Sequence, residues 1–106
     1  MTSIGLLLTQ AGTAVPTASV VENSVGKPVT MTRQDVGLYR IGCTAAFPSG
    51  KVFSAPVVQP NDAALLICAT MSRYSDDAVS VHVIRTDTGA DIDLATTNFP
   101  IWIDIA

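Results

Sequence analysis

Apolar and polar residues alternate along most of this chain with a period of two, which is typical of β-strands that bury one face. In the clearest case Val79, Val81 and Val83 share a face, with Ser80 and His82 on the other. The same pattern predicts eight short strands, at residues 4–8, 18–22, 29–33, 39–43, 51–55, 64–71, 79–83 and 101–105. No segment carries an apolar stripe at helical spacing over three turns, so the pattern predicts essentially no α-helix.

The alternation also predicts which side chains face the core. In the strand at 18–22, Val20 is expected to point inward. In the strand at 64–71, apolar residues on both faces indicate that the strand is covered on both sides. In the last strand three isoleucines share one face, and Trp102 and Asp104 point the other way.

Turn-forming residues separate these segments at short intervals. The clearest hairpin signals are residues 34–37, where Gly37 can supply a positive φ, and residues 48–51, where Pro48 and Gly50 favour a turn. Short strands between such turns are typical of a sandwich or barrel. We therefore predict a single all-β domain over residues 1–106, an antiparallel, jelly-roll-like β-sandwich of about eight short strands.

The composition adds an expectation about assembly. Charged residues make up 14% of the chain, against about 25% in a typical soluble domain. Hydrophobic residues make up 48%. A chain of 106 residues has a large surface to solvate with so few charges. We therefore expect part of that surface to be buried against other copies of the chain or against another protein.

The charge pattern excludes two classes of partner. The net charge is −3, and the six basic residues are scattered along the sequence. Nucleic acids and anionic membrane surfaces are bound by basic patches, so neither is an expected partner. The longest uninterrupted apolar run, residues 63–69, is far shorter than the roughly 20 residues of a membrane-spanning helix. No basic stretch precedes residues 4–8, which are predicted to form a strand rather than a signal peptide.

The candidate catalytic residues are few. A hydrolase would need His82, the only histidine, to be hydrogen-bonded to both an acid and a nucleophile. A thiol dyad would need Cys43 or Cys68 in an electropositive loop, but both lie in apolar segments. Buried free thiols are favoured for the two cysteines, and one cross-strand disulfide is the alternative. We predict no catalytic residue, no cofactor and no enzymatic activity.

One polar segment offers a candidate metal site. Asp87, Asp91 and Asp93 surround Gly89, and calcium prefers oxygen-rich loops of this kind. The spacing does not follow the order of an EF-hand, so a polar hairpin loop is favoured and a weak calcium site is the alternative. The adjacent acids Asp76 and Asp77 are predicted to lie in a turn.

Two aromatic residues are candidate ligand-binding residues. An exposed ring at Trp102 or Tyr74 could serve as a platform for a sugar. For Trp102, packing in a second layer or in an oligomer interface is favoured over sugar binding.

Several segments together resemble a known class of domain. They read VENSVG at 21–26, VTMTR at 29–33, VGLYRI at 36–41, DIDL at 91–94 and PIWIDI at 100–105. This pattern resembles small β-sandwich domains of phage virion proteins, the fibre- and spike-type modules, and the similarity is closest over residues 21–41. The resemblance implies a structural protein that is often trimeric. It carries over no catalytic residue.

The sequence therefore favours a non-enzymatic structural or assembly protein, a fibre, spike or decoration component of a phage virion that self-associates through apolar strand faces. The expected partners are other copies of the chain, as a trimer, and other virion or surface proteins. The alternative is a glycan-binding or adhesion module on the same scaffold, in an extracellular or cytoplasmic location. Exposed Trp102 and Tyr74 beside carboxylates would favour that alternative.

Overall fold

The computed structural model describes residues 2–50, 53–54, 67–94 and 99–105, and these form an antiparallel β-sandwich without any helix. The strands are β1 (Thr2–Thr9), β2 (Thr17–Asn23), β3 (Thr30–Asp35), β4 (Leu38–Gly42), β5 (Phe53–Ser54), β6 (Ile67–Ser75), β7 (Ala78–Arg85) and β8 (Phe99–Ile105). Seven strands have five residues or more, and β5 has two. The prediction of an all-β antiparallel sandwich is confirmed. Predicted strand residues 51–52, 55 and 64–66 lie outside the described part of the chain.

The strands form two four-stranded sheets. Sheet 1 has the order β2-β1-β8-β5, and sheet 2 has the order β3-β4-β7-β6. Three pairings, β1 with β2, β3 with β4 and β6 with β7, join strands that follow one another in the chain. The pairings of β1 with β8 and of β4 with β7 join strands that are far apart in the sequence. The central strands of both sheets are therefore held by long-range contacts.

The core lies between the inner faces of the two sheets. Alternate residues of the central strands point into it, as the period of two predicts. Their exposed fractions are 3% or less, and they are Ile4, Leu6, Leu8, Tyr39, Ile41, Val79, Val81, Val83, Ile101, Ile103 and Ile105. Burial of this apolar set is the main stabilising contribution to the fold, at roughly 25 cal/mol for each Å² removed from water.

Strand β2 departs from the prediction. Its register places Val20 opposite the core residue Leu6, yet Val20 is 50% exposed. All residues of β2 from Thr17 to Glu22 are exposed, on both faces of the strand. Val20 therefore lies on the predicted side of the strand but is not buried, because alternation gives the side on which a residue lies and not whether another layer covers it. Strand β2 is the outermost strand of sheet 1.

The first part of β6 is covered on both sides, as predicted. Ile67 and Ala69 are buried on one face, and Cys68 is buried on the other. Both Cys68 and Cys43 are free thiols, which confirms the favoured interpretation of the cysteines. Burial raises the pKa of the Cys43 thiol. Among the described residues, no helix has the length and hydrophobicity needed to cross a membrane.

The turn that contains Asp76 and Asp77 anchors a neighbouring loop. The Cys43 N–H donates to the Asp77 carbonyl at 2.8 Å, and the Phe47 N–H donates to the Asp76 carbonyl at 2.9 Å. The Ala45 N–H donates to Asp77 Oδ1 at 2.8 Å. These bonds hold the segment after β4 so that the Phe47 ring is fully buried. The turn predicted here from sequence is confirmed.

Two substitutions of the same kind test the division between covered and uncovered strands. Val81→Ala in β7 should lower the free energy of unfolding by about 2 kcal/mol, because it removes two buried methyl groups and leaves a cavity. Val20→Ala in β2 should change it by less than about 0.5 kcal/mol, because that side chain is half exposed. Urea denaturation of both variants measures the difference. Equal losses would mean that β2 is covered like β7.

Candidate functional site

The carboxylate of Asp93 is the centre of a polar cluster at one end of the sandwich. It accepts two hydrogen bonds from Arg33, from Nε at 3.1 Å and from Nη2 at 3.0 Å. It also accepts from the Gly37 N–H at 3.2 Å, and the Tyr39 hydroxyl lies 2.9 Å from it. The Arg33 and Asp93 side chains are only 20% and 12% exposed. This one group therefore joins β3, the β3–β4 turn, β4 and the segment that follows β7.

The cluster continues to sheet 1 through Tyr39 and Gln10. The Tyr39 hydroxyl lies 2.6 Å from Gln10 Oε1, and the Leu94 N–H donates to both of these oxygens at 3.0 Å. The Gln10 amide donates to the Ala14 carbonyl at 2.9 Å. Among the described residues, every buried side-chain nitrogen and oxygen has a hydrogen-bond partner. The cluster is therefore complete, and its geometry is that of a structural support.

The protonation of the cluster follows from its contacts. Burial alone would raise the pKa of Asp93, but the hydrogen bonds from Arg33, the Gly37 N–H and Tyr39 together keep that pKa below its ordinary value. Burial, the largest cause, raises the pKa of Tyr39 to about 12. At neutral pH, Asp93 is therefore ionised and Tyr39 keeps its proton. The negative charge of Asp93 is paired with Arg33, and this attraction offsets the free-energy cost of removing the carboxylate from water.

Gly37 brings the β3–β4 turn against the segment that follows β7. Its φ is +68°, and a Cβ atom there would lie 2.5 Å from the Val83 carbonyl oxygen and 2.9 Å from the backbone nitrogen of Ile92. Its carbonyl accepts from the Val83 N–H at 2.7 Å. Only glycine fits both the positive φ and this close approach. The prediction of a hairpin with Gly37 at positive φ is confirmed.

The three carboxylates of the candidate calcium site are not brought together. Asp87 pairs with Arg85, at 3.0 Å and 2.9 Å, and Asp93 pairs with Arg33. The third, Asp91, lies against His82. No group of three or more His, Cys, Asp or Glu side chains in the described ranges is placed to hold a metal ion. Each acid has its own cationic or imidazole partner, which leaves no shared oxygen cage for calcium.

His82 meets one of the two conditions for hydrolysis. Its Nε2 lies 2.6 Å from Asp91 Oδ1, with 50% of the His82 side chain and 60% of the Asp91 side chain exposed. Within the described ranges, no serine, threonine or cysteine side chain is hydrogen-bonded to the imidazole. An acid and a base without a bonded nucleophile do not make a triad. The expectation of no enzymatic activity stays a prediction.

Trp102 lies on the outer face of sheet 1 and is 42% exposed. Its ring lies over Gly5 of the neighbouring strand, where a Cβ atom would be 2.5 Å from Cζ3 of the indole and 3.2 Å from Cγ2 of Val21. The indole N–H donates to Asp104 Oδ1 at 2.8 Å, and the Ser3 hydroxyl donates to the same oxygen at 2.9 Å. One side of the ring therefore packs on the sheet, and its polar edge already has a partner.

Tyr74, the other aromatic candidate, lies on the outer face of sheet 2 and is 54% exposed. The Arg40 guanidinium lies over its ring, 3.7 Å from the ring centroid, in a cation–π contact. Trp102 and Tyr74 are thus on opposite faces of the sandwich, and one small ligand cannot contact both rings.

An open depression, which the sequence did not indicate, lies on the outer face of sheet 2. We call it the sheet 2 depression. It has a volume of about 440 Å³ and is lined by Asp35, Val36, Leu38, Ser72, Ser80, His82 and Asp91. These residues come from the end of β3, the β3–β4 turn, β4, β6, β7 and the segment after β7. They are far apart in the sequence, which is why no motif marked the site.

Comparisons of this chain with protein-family models, with curated protein sequences and with solved structures found no match. The resemblance to phage virion modules therefore stays a prediction from the sequence.

The polar cluster gives a prediction for stability and its pH dependence. At neutral pH, Asp93→Asn should lower the free energy of unfolding by about 2 kcal/mol, because hydrogen bonds to a charged group are lost and Arg33 loses its counter-ion. The folded-state pKa of Asp93 is lowered, so its stabilisation is present above the ordinary aspartate pKa of about 3.9 and is lost as the pH falls through the lowered value. The variant should therefore lose less stability in acid than the native chain.

The control for this prediction is Asp87→Asn, which removes an exposed carboxylate that is also paired with an arginine. An exposed pair contributes little, so this variant should keep close to the native stability at neutral pH. Urea denaturation across the acid range measures both variants. If Asp93→Asn kept the stability and the acid profile of the native chain, the carboxylate would not be the support described above.

Proposed function

We propose that this chain is a non-enzymatic structural protein that assembles with other copies of itself, as a fibre, spike or decoration component of a phage virion. The observation that carries the proposal is the exposed tryptophan on the outer face of sheet 1, which lies against apolar neighbours. The resemblance of residues 21–41 to virion modules supplies the biological setting, and the chemistry of sheet 1 supplies a surface for assembly.

The described strands of sheet 1 contain no lysine and no arginine. Their only charged residues are Glu22 in β2 and Asp104 in β8. All four arginines of the described strands belong to sheet 2, and they are Arg33, Arg40, Arg73 and Arg85. Depletion of charged residues is the compositional mark of the buried centre of an interface. Arg33, Arg73 and Arg85 are paired opposite core residues, so this difference belongs to the sheets as a whole. On the outer faces, sheet 1 carries Glu22 and Asp104 and sheet 2 carries Arg40.

An apolar patch lies on the outer face of sheet 1. We call it the sheet 1 patch and define it by Gly5, Leu7, Val21 and Trp102. Trp102 is the most favourable anchor in it, because large aromatic side chains dominate the binding free energy of interfaces. The ring is held in place by its contact with the sheet at Gly5, so little side-chain freedom would be lost on association.

Two carboxylates adjoin this patch: Glu22, which is exposed and pairs with Gly5 across β1 and β2, and Asp104, whose side chain already has partners. Asp104 Oδ1 already accepts hydrogen bonds from the Trp102 N–H and the Ser3 hydroxyl. A charged group that keeps its hydrogen bonds is less costly to cover than a bare one.

Strand β2 extends the same surface. Val21, whose side chain lies beside Gly5 together with the Trp102 ring, is 58% exposed. Pairing of β2 edge to edge with another copy is disfavoured, because the register of β1 and β2 shifts between Gly5 and Leu6 and such bulges interrupt regular pairing. We therefore propose contact through the face of the sheet. A stable interface covers about 800 Å² on each partner, which requires most of that face.

The mass in solution tests this proposal. Light scattering at micromolar concentration should give three times the chain mass of 11.1 kDa, as expected for a trimer. Trp102→Lys should shift the mass to that of the monomer, because it places a charge at the centre of the sheet 1 patch. The matched control is Tyr74→Lys, the same change at the exposed aromatic residue of the other face, which should leave the mass unchanged.

A native chain that stays monomeric at these concentrations would overturn the proposal of self-assembly. Loss of assembly in Tyr74→Lys but not in Trp102→Lys would place the interface on sheet 2 instead. The virion setting has its own test in the neighbouring genes. Capsid or tail genes beside the gene for this chain are expected, and genes for glycan utilisation would favour the adhesion alternative.

A further inference from the structure

The sheet 2 depression lies on the face opposite the surface proposed for assembly. Ser72 of β6 and Ser80 of β7 are directly paired across the two strands, and His82 follows two residues later on the same face of β7. Asp35 approaches from the end of β3, and Asp91 approaches from the segment after β7. Five hydrogen-bonding side chains therefore converge around one open space.

Much of the hydrogen-bonding capacity of these side chains is unused. The Ser72 and Ser80 hydroxyls have no hydrogen-bond partner in the described part of the chain. Asp35 uses Oδ1 to accept from the Val36 N–H at 2.7 Å, and Asp91 uses Oδ1 for His82. The second oxygen of each carboxylate remains available. The depression thus offers hydroxyl groups that can donate or accept and carboxylate oxygens that accept.

An apolar wall adjoins these polar groups. Val36 and Leu38 are 44% and 36% exposed and line the same depression. Small-molecule sites usually combine an apolar surface with a few polar groups that orient the ligand. The volume of about 440 Å³ falls at the lower end of the roughly 300–1,000 Å³ typical of such sites.

The walls of the depression are held in place by the polar cluster. The β3–β4 turn, which carries Val36 and follows Asp35 directly, is fixed through the bond from the Gly37 N–H to Asp93 and through the contact of Gly37 with Val83. The segment that carries Asp91 is fixed through the Ile92 N–H, which donates to the Val83 carbonyl at 3.2 Å. A site whose walls are already ordered loses less entropy when a ligand binds.

We infer that the sheet 2 depression binds a neutral saccharide, one or two sugar rings in size. A sugar hydroxyl both donates and accepts, so it matches carboxylate oxygens and serine hydroxyls at once. The C–H groups of the ring would contact Val36 and Leu38. This inference does not depend on assembly through sheet 1. It places sugar binding away from Trp102 and Tyr74, whose rings already pack against Gly5 and Arg40.

The charges around the depression favour a neutral ligand. Asp35 and Asp91 would repel an anion. Arg40 lies outside the lining, with its guanidinium over the Tyr74 ring, so it does not offset this repulsion. A hydroxyl-rich neutral ring avoids the repulsion and can donate hydrogen bonds to both carboxylates.

Titration of ¹⁵N-labelled full-length chain with methyl glycosides of glucose, galactose, mannose and N-acetylglucosamine tests the inference. At least one glycoside should cause saturable shifts in the amide signals of Val36, Leu38, Ser80 and His82. The expected Kd is on the order of millimolar, because a single small ring makes few contacts. Absence of saturable shifts with all four probes would overturn the inference, and so would shifts centred on Trp102 or Tyr74.

Variants separate binding in the depression from general effects. Ser72→Ala/Ser80→Ala should weaken glycoside binding about tenfold, because two hydrogen bonds are lost, and Ser19→Ala on the exposed strand β2 should leave it unchanged. Asp91→Asn should also weaken binding about tenfold, with Asp87→Asn, in the same segment but outside the depression, as its matched control. A double serine variant that folds and binds like the native chain would contradict the site.

Trp102→Lys distinguishes this inference from the proposed assembly. It should retain glycoside binding while losing self-association, because the two surfaces lie on opposite faces. Loss of glycoside binding in folded Trp102→Lys would overturn the placement of the sugar site on sheet 2. If the native chain proved to be monomeric and still bound the glycoside, the sugar site would be supported and only the proposed assembly would be overturned.

Discussion

The hydrogen bonds to the Asp93 carboxylate are the interaction on which the arrangement of this sandwich depends most. Removing a charge from water costs several kcal/mol unless partners replace the water, so a nearly buried Asp93 requires Arg33, the Gly37 N–H and Tyr39 to be in position together. Apolar contacts hold the two sheets together but are non-directional. The bonds from Tyr39 and Leu94 to Gln10 add direction, because they fix β4 relative to the end of β1.

The two outer faces differ in the side chains at their centres. Arg40, Ser80 and His82 lie on the outer face of sheet 2, whereas the other arginines of that sheet are paired opposite core residues. The outer face of sheet 1 centres on a tryptophan that lies over a glycine. A subunit that must bury one face in an assembly and leave the other in water needs this kind of asymmetry. The depression opens on the outer face of sheet 2, where it would stay accessible in the assembled form.

Side-chain direction could be predicted from the sequence because it is a local property of a strand. The valines of β7 and the isoleucines of β8 face the core as their alternation indicates. Coverage by another layer is not local, and Val20 shows the difference: its side was predicted, but its exposure depends on β2 lying at the edge of a sheet. The turn glycine Gly37 was also predictable, because a tight hairpin needs a positive φ.

The polar cluster and the depression could not be predicted in the same way. Gln10, Tyr39 and Asp93 meet although more than 50 residues separate Tyr39 from Asp93, and each taken alone resembles an ordinary core or loop residue. Asp87, Asp91 and Asp93 look like one acidic group in the sequence, but the fold gives each a different partner. The strand order, which alternation does not encode, also decides that Trp102 and Tyr74 lie on opposite faces.

The position of Trp102 makes the chain its own optical probe. It is the only tryptophan, and its indole lies at the centre of the outer face of sheet 1, half in contact with water. Its fluorescence therefore reports the polarity of that face and of no other part of the molecule. The emission wavelength of the unlabelled protein differs between a solvent-exposed indole and one shielded from water. It therefore follows the burial of this surface in solution.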